Sequence, residues 1–151
     1  MRQTKAVQVK HLQIGGGAPV VIQSMTKTDT ADVGATVAQI EEMVRAGCEI
    51  VRLAVPDNDA AIALKEIRKR VPDVPLVADI HFHYKLALMA LEAGIDKLRL
   101  NPGNIGAHDE WRIFHFILKY FNPVLIAFLL KLASHDLLVA RDFSRVYQFT
   151  L

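Results

Sequence analysis

Apolar strands and amphipathic helices alternate along the first two thirds of the chain. Apolar runs suited to strands fall at 19–23, 49–55, 76–80 and 95–100, and helical patterns fall between them. Strands joined through a helix pair in parallel, with right-handed crossovers. The sequence therefore predicts an α/β fold with four parallel strands by residue 101. That number is half of the eight strands of a TIM-type (β/α) barrel.

The length of the chain limits how much of a barrel it can form. A complete barrel takes about 250 residues, and this chain has 151. We therefore expect a partial TIM-type barrel of about four βα units over residues 1–106. The alternating segment 6–14 predicts a hairpin or lead-in strand, and the polar segment 24–30 predicts a loop after the strand at 19–23.

The alternation stops at residue 107, and the segment that follows is rich in aromatic residues and leucine. Four of the seven phenylalanines lie between positions 114 and 128, and apolar residues surround the helical pattern instead of forming one stripe. Only eleven residues separate Lys119 from Lys131, whereas a membrane-spanning helix needs about 20. We predict a divergent apolar helical tail over 107–151, buried or in an interface, with a membrane-associated or interaction segment as the alternative.

Net charge and cysteine content indicate which partners and which cellular compartment to expect. The net charge is +2 with no block of like charges, so nothing indicates a nucleic-acid partner. Cys48 is the only cysteine, which excludes an internal disulfide and fits a reducing compartment. The polar, basic N-terminal segment has no apolar stretch of signal-peptide type after it. We therefore expect a cytoplasmic protein.

Polar side chains gather where two neighbouring predicted strands end. Asp79 and His81 alternate onto one face of the strand at 76–80, and Arg99 and Asn101 do so on the next strand. Barrel enzymes carry their active sites at the carboxyl ends of the strands. The sequence therefore predicts a site at this mouth of the barrel.

Two arginines stand inside apolar strands. Arg52 interrupts the run 50–55, and Arg99 interrupts 97–100. A charge there is costly unless it is paired or faces a ligand. Guanidinium groups bind phosphate oxygens in pairs, so two of them at one barrel mouth favour an anionic ligand. The structural alternative is an ion pair inside the barrel, between Arg52 and Asp79.

A metal-dependent barrel hydrolase is the second functional hypothesis. His83 extends Asp79 and His81 into an Asp-x-His-x-His pattern, and such side chains bind divalent metals. The third histidine falls beyond the predicted strand, where the alternation of faces ends. We therefore assign no metal ligand and no catalytic residue.

Five segments together resemble one enzyme family in order and spacing. They are Ile-Gly-Gly-Gly-Ala-Pro at 14–19, Val-Ile-Gln-Ser-Met-Thr at 21–26, Val-Arg-Leu-Ala-Val-Pro at 51–56, Pro-Leu-Val-Ala-Asp-Ile-His-Phe at 75–82 and Leu-Arg-Leu-Asn-Pro-Gly-Asn-Ile-Gly at 98–106. Over about residues 5–106 the chain resembles the N-terminal barrel of the 4-hydroxy-3-methylbut-2-enyl diphosphate synthases, the IspG or GcpE family.

The resemblance implies a reaction and a set of binding residues. The family converts 2-C-methyl-D-erythritol 2,4-cyclodiphosphate reductively into 4-hydroxy-3-methylbut-2-enyl diphosphate, in non-mevalonate isoprenoid biosynthesis. Its barrel binds the diphosphate, and flavodoxin or ferredoxin supplies electrons to a 4Fe–4S cluster in a separate C-terminal domain. By match to the family motifs, Arg52 and Arg99 contact the diphosphate, and Asp79, His81 and Asn101 line the same mouth.

The chain also departs from the family. Residues 107–151 do not continue the family pattern, and no cysteine follows Cys48 to serve as a cluster ligand. We therefore expect a truncated chain that carries no cofactor and has no redox activity alone, retaining at most diphosphate binding; whether it is an enzyme stays open. A half-barrel has unpaired strand edges, which predicts self-association.

Overall fold

A short hairpin precedes a regular alternation of strands and helices in the computed structural model, which describes residues 4–81 and 83–100. Asn101 and the predicted tail at 107–151 lie outside these residues. The elements in chain order are β1 (Val7–Val9), β2 (Leu12–Ile14), β3 (Gln23–Met25), α1 (Val33–Arg45), β4 (Ile50–Ala54), α2 (Asn58–Arg70), β5 (Leu76–Ile80), α3 (Tyr84–Glu92) and β6 (Lys97–Leu100).

The main sheet is parallel throughout and follows the order of the chain. Its strands run β3-β4-β5-β6, and each βα unit adds the next strand at one side. Strands β1 and β2 form a separate antiparallel hairpin. The arrangement confirms the predicted α/β fold, with the strand order of a (β/α) barrel.

Local sequence signals set the ends of the helices. The carboxylate of Asp32 accepts a hydrogen bond from the backbone N–H of Ala35 at 3.0 Å, and Asp57 does the same for Ala60 at 2.9 Å. Such caps satisfy N–H groups that a helix leaves unpaired at its start. Gly94 follows α3 with φ +84°, a left-handed conformation that ends a helix with little strain in glycine.

Apolar side chains pack on both faces of the sheet, in two separate clusters. The outer face of β4 and β5 packs against the helices and forms the larger core. On the inner face, Val9 of the hairpin packs against Ile50 and Val77. The hairpin therefore covers the inner face near the amino ends of the strands, and the polar side chains lie nearer the carboxyl ends.

An ion pair between Arg68 and Asp96 holds α2 to the amino ends of β5 and β6. Arg68 Nη2 lies 2.6 Å from Asp96 Oδ2, and Arg68 Nη1 donates to the carbonyl of Val74 at 2.9 Å. The same Asp96 oxygen accepts the backbone N–H of Leu76 at 2.8 Å. Both side chains are about five-sixths buried, with exposures of 15% and 16%. This ion pair stabilises the end of the sheet that lies opposite the polar cluster.

One predicted strand is wrong. The apolar run 19–23 was expected to be a buried strand, but Val20 is 93% and Ile22 is 58% exposed. The strand observed is β3, which begins at Gln23 and extends into the predicted loop at 24–30. Pairing with β4 starts where the backbone N–H groups of Glu49 and Ile50 donate to the carbonyl of Ile22, at 2.9 Å and 3.1 Å. Hydrophobicity alone therefore misplaced a strand whose bounds are set by its partner.

The other predicted elements between residues 6 and 100 are confirmed to within a few residues. Within the ranges 4–81 and 83–100, no helix combines the length and the apolar character that crossing a membrane requires.

Candidate functional site

Asp79 lies at the centre of a charged cluster on the inner face of the sheet. Its side chain is 1% exposed and accepts hydrogen bonds from arginines on both neighbouring strands. Arg52 of β4 donates from Nε to Oδ2 at 3.0 Å and also from Nη2. Arg99 of β6 donates from Nη1 to Oδ1 at 2.9 Å. One buried carboxylate thus brings two guanidinium groups together.

Strand register explains why these three side chains meet. Asp79 is the register partner of Arg99, and Ala54 is its partner on β4. Arg52 precedes Ala54 by two residues, so it shares the same face of the sheet and reaches Asp79 from one row nearer the amino end. The cluster is therefore a consequence of parallel pairing and alternation.

His81 completes the cluster from just beyond the end of β5. Its Nε2 lies 3.2 Å from Asp79 Oδ2 and 3.2 Å from Arg99 Nη1. The side chains of His81 and Arg99 are each 38% exposed, and that of Arg52 is 26% exposed. The site therefore has a buried carboxylate beneath partly exposed cations and an imidazole.

The charge of Asp79 follows from competing effects on its pKa. Burial raises the pKa, but hydrogen bonds from Arg52 and then Arg99 lower it by more, so the pKa lies below its ordinary value. Asp79 is thus a carboxylate at neutral pH and balances one of the two arginines. The remaining positive charge suits an anion.

Lys97 is an inner-face residue to which sequence analysis gave no role. It precedes Arg99 by two residues on β6, and its register partner is Val77. Burial lowers the pKa of Lys97, and the nearby positive charge of Arg52 lowers it further. The alternation that places Arg99 on the inner face places Lys97 there too, so the signal was present in the sequence.

Four of the five predicted binding residues come together: Arg52, Asp79, His81 and Arg99. The fifth, Asn101, lies outside the described residues. The ion pair offered as the structural alternative for Arg52 is present. Pairing does not exclude binding, because a guanidinium has five N–H donors and a carboxylate occupies only some of them.

The metal-hydrolase hypothesis finds no ligand set in the described part of the chain. No three His, Cys, Asp or Glu side chains of residues 4–81 and 83–100 lie together as metal ligands would. His83 is exposed directly before α3.

The cysteine content does not fit an iron–sulfur cluster, which is held by several cysteine thiolates. Cys48 is the only cysteine of the chain. It is buried in the core between helices and sheet, where its Sγ donates to the carbonyl of Ile50 at 3.1 Å. The residues of this chain therefore do not supply the ligands of such a cluster.

Parallel strands in chain order, helices on the outer face and a polar cluster on the inner face define a domain of the TIM-barrel class. The family model of the GcpE TIM-barrel domain matches residues 4–124. The chain belongs to the GcpE family, which confirms the resemblance seen in the sequence motifs.

Curated relatives carry the name 4-hydroxy-3-methylbut-2-en-1-yl diphosphate synthase (flavodoxin). The chain is 60% identical to the protein of Dehalococcoides mccartyi over 105 residues, covering 70% of this chain and 30% of the relative. Identity is 58% over 112 residues with the protein of Symbiobacterium thermophilum, covering 74% and 30%. With the protein of Nitratidesulfovibrio vulgaris it is 62% over 105 residues, covering 70% and 27%. The chain thus spans less than a third of the length of these relatives.

Proposed function

We propose that this domain binds the diphosphate of 2-C-methyl-D-erythritol 2,4-cyclodiphosphate, the substrate of the synthase reaction. The observation that carries the proposal is the presentation of Arg52 and Arg99 together by Asp79. The relatives are named as synthases of a diphosphate product, so their ligand is an anion of the kind that paired guanidinium groups bind.

In this proposal, the residues of this chain that bind the diphosphate are Arg52 and Arg99. Arg52 and Arg99 donate to diphosphate oxygens with the N–H groups that Asp79 does not occupy. Asp79 is a positioning residue, since its two oxygens fix the guanidinium groups relative to each other. His81, within 3.2 Å of Arg99 Nη1, adds a polar group at the rim, and Asn101 is proposed to line the same mouth.

The reductive step of the reaction is not assigned to this chain. In the family a 4Fe–4S cluster supplies that chemistry, with electrons from flavodoxin or ferredoxin. Cys48 is the only cysteine here and is buried in the core. We therefore propose that the chain alone binds substrate without redox activity. Its free thiol also supports a location in the reducing cytoplasm.

Calorimetric titration of the 151-residue chain with the cyclic diphosphate tests the proposal. Arg52→Ala and Arg99→Ala are each expected to weaken binding by about tenfold or more, because a hydrogen bond to a charged group contributes about 1.5–3 kcal/mol. Arg70→Ala is the matched control, since Arg70 is exposed on α2 and pairs with Glu66 one turn away on the same helix. Absence of binding by the folded wild type, or equal weakening by Arg70→Ala, would overturn the proposal.

We also propose that copies of this chain associate through the β3 edge. In the part of the sheet that the structure describes, β3 pairs with β4 alone. Exposed Val20 and Ile22 lie directly before this strand. An edge with unpaired backbone groups and apolar neighbours favours pairing with another strand.

A further inference from the structure

Met25 is an apolar residue next to the charged cluster, at the carboxyl end of β3. It is the last residue of that strand, and its register partner is Arg52. The backbone N–H of Thr26 donates to the carbonyl of Arg52 at 3.0 Å, which holds the end of β3 against β4. Register partners in a parallel sheet project from the same face, so Met25 lies on the inner face together with Arg52.

Met25 is much more accessible than the other apolar residue in its row. Register places Met25, Arg52 and Val77 side by side on three adjacent strands. Val77 is 1% exposed, whereas Met25 is 37% exposed. A single exposed apolar residue is common on protein surfaces, but this one adjoins a guanidinium that is itself 26% exposed. A ligand bound to that guanidinium therefore has an apolar surface within reach.

The mouth of the sheet has a charged side and an apolar side. Asp79 and Arg99 form the charged side on β5 and β6. On β4, half-buried Ala54 lies in the row of Asp79, and on β3 Met25 lies one row nearer the amino end. Arg52 lies between the two sides. A methionine side chain is unbranched and flexible, so it adapts to the shape of a small carbon skeleton.

We propose that Met25 is a specificity-determining residue of the anion site, whose side chain covers the carbon skeleton of an organic diphosphate. The inference rests on the proposed binding of a diphosphate by Arg52 and Arg99. Guanidinium groups bind the oxygens of inorganic and organic phosphates alike. Only the organic ligand carries apolar surface that Met25 removes from water, so Met25 adds affinity that inorganic pyrophosphate does not gain.

Parallel titrations of the full-length chain with the cyclic diphosphate and with inorganic pyrophosphate test this proposal. Met25→Ala is expected to weaken binding of the cyclic diphosphate about fivefold and to leave pyrophosphate binding nearly unchanged. Met25→Leu keeps an apolar side chain of similar size and is expected to retain both affinities. Val44→Ala is the matched control, because Val44 is a similarly exposed apolar residue, at 40%, on α1; it should change neither affinity.

Nuclear magnetic resonance of methyl-labelled methionine observes the contact itself. Cross-relaxation is expected between the Cε methyl group of Met25 and the carbon-bound protons of the cyclic diphosphate. Met43 and Met89 pack against the larger core and are expected to show none, so they serve as internal controls. The signal that disappears in Met25→Leu is that of Met25.

The outcomes separate this inference from the proposed function. If the folded wild type binds neither ligand, or if Arg99→Ala leaves both affinities intact, the proposed anion site itself is wrong. If Arg99→Ala abolishes binding while Met25→Ala weakens both ligands equally, or neither, the role of Met25 is overturned. Met25→Gln keeps the size but not the apolar character, and it replaces Met25→Ala, with the same expectation, if the alanine variant does not melt cooperatively.

A second copy of the chain is the competing occupant of this surface, because Met25 belongs to the strand proposed to associate. In that case the methyl signal of Met25 would shift on dilution without ligand and would show no cross-relaxation with the cyclic diphosphate. This result would overturn the role of Met25 in ligand selection and leave the anion site at Arg52 and Arg99 standing.

Discussion

At the scale of single residues, Asp79 has the greatest influence on the site. It is 1% exposed, and its two oxygens accept hydrogen bonds from arginines on either side. Removing one partner of a buried ion pair leaves the other charges uncompensated, which is more damaging than losing an exposed pair. The same carboxylate thus supports both the stability of the sheet and the geometry of the proposed anion site.

Asp79→Ala is therefore expected to lower the free energy of unfolding by about 2–3 kcal/mol, measured by urea denaturation. The value lies below that for a fully buried pair because both arginines are partly exposed. Glu66→Ala, which removes two exposed ion pairs on α2, with Lys69 and Arg70, should leave the urea midpoint nearly unchanged. Equal effects of the two substitutions would show that the Asp79 pairs do not stabilise the fold.

The lowered pKa of Asp79 predicts a pH dependence of stability. A carboxylate whose pKa is lower in the folded than in the unfolded state stabilises the fold above the unfolded value. That contribution is lost as the pH falls below the ordinary value of 3.8 and through the folded pKa. Asp79→Asn lacks this titration, so its stability deficit relative to the wild type should shrink from pH 5 to pH 2.5 in urea denaturation. A constant deficit over this range would contradict the shift.

The sequence made part of this site predictable. Arg52 and Arg99 were recognisable because a charge inside an apolar strand needs a partner or a ligand, and alternation placed Asp79 with them. Lys97 was not recognised, because lysine at the start of a strand is also typical of a solvent-exposed position. Alternation with Arg99 indicates the inner face for Lys97, and the register with Val77 shows that Lys97 lies there.

At the scale of elements, the amino ends of the strands contribute mainly to stability, and the carboxyl ends carry the proposed binding site. Arg68 and Asp96 join α2 to the starts of β5 and β6, whereas the charged cluster lies toward the strand ends. Barrel domains commonly divide stability and function between the two faces in this way. Substitutions in the Arg68–Asp96 ion pair should therefore lower the stability of the fold without affecting ligand binding.

Asp96→Ala tests that division. It removes the ion pair with Arg68 and the acceptor for the N–H of Leu76, both largely buried, so we expect a loss of about 2–3 kcal/mol in urea denaturation. Affinity for inorganic pyrophosphate, measured well below the melting temperature, should stay within about twofold of the wild type, or about 0.4 kcal/mol. A tenfold loss of affinity with little loss of stability would refute the separation.

Helix bounds were predictable from the sequence, and one strand was not. Asp32 and Asp57 cap helices through contacts only three residues away, and Gly47 and Gly94 mark helix ends, so these signals are local. The position of β3 depends on hydrogen bonds with β4, twenty-five or more residues later. No local pattern specifies such a pairing, and the apolar run at 19–23 therefore misled the prediction.

At the scale of the whole molecule, the chain aligns with 27–30% of the length of three curated relatives. The boundary predicted at residue 106 stays a prediction, as does the helical tail after it. In the sheet as described, β3 and β6 are the outer strands. The edge of β3, next to exposed Val20 and Ile22, is the basis for the proposed association between copies.

Sedimentation of the full-length chain at increasing concentration measures this association. The wild type is expected to form species larger than a monomer, and Val20→Lys should shift it toward the monomer by placing a charge beside the β3 edge. Ile62→Lys is the matched control, because Ile62 is 64% exposed on α2, away from that edge. A wild type that stays monomeric, or a Val20→Lys variant that associates as before, would refute the proposal.

Binding of the diphosphate by Arg52 and Arg99 can be observed directly at the arginine side chains. Nuclear magnetic resonance spectra of the Nε–H groups, recorded while the cyclic diphosphate is added, report each guanidinium separately. Saturable shifts with one common dissociation constant are expected for Arg52 and Arg99, and none for Arg70, which pairs with Glu66 on α2. Unchanged Arg52 and Arg99 signals at saturating ligand would contradict the assignment of the anion site.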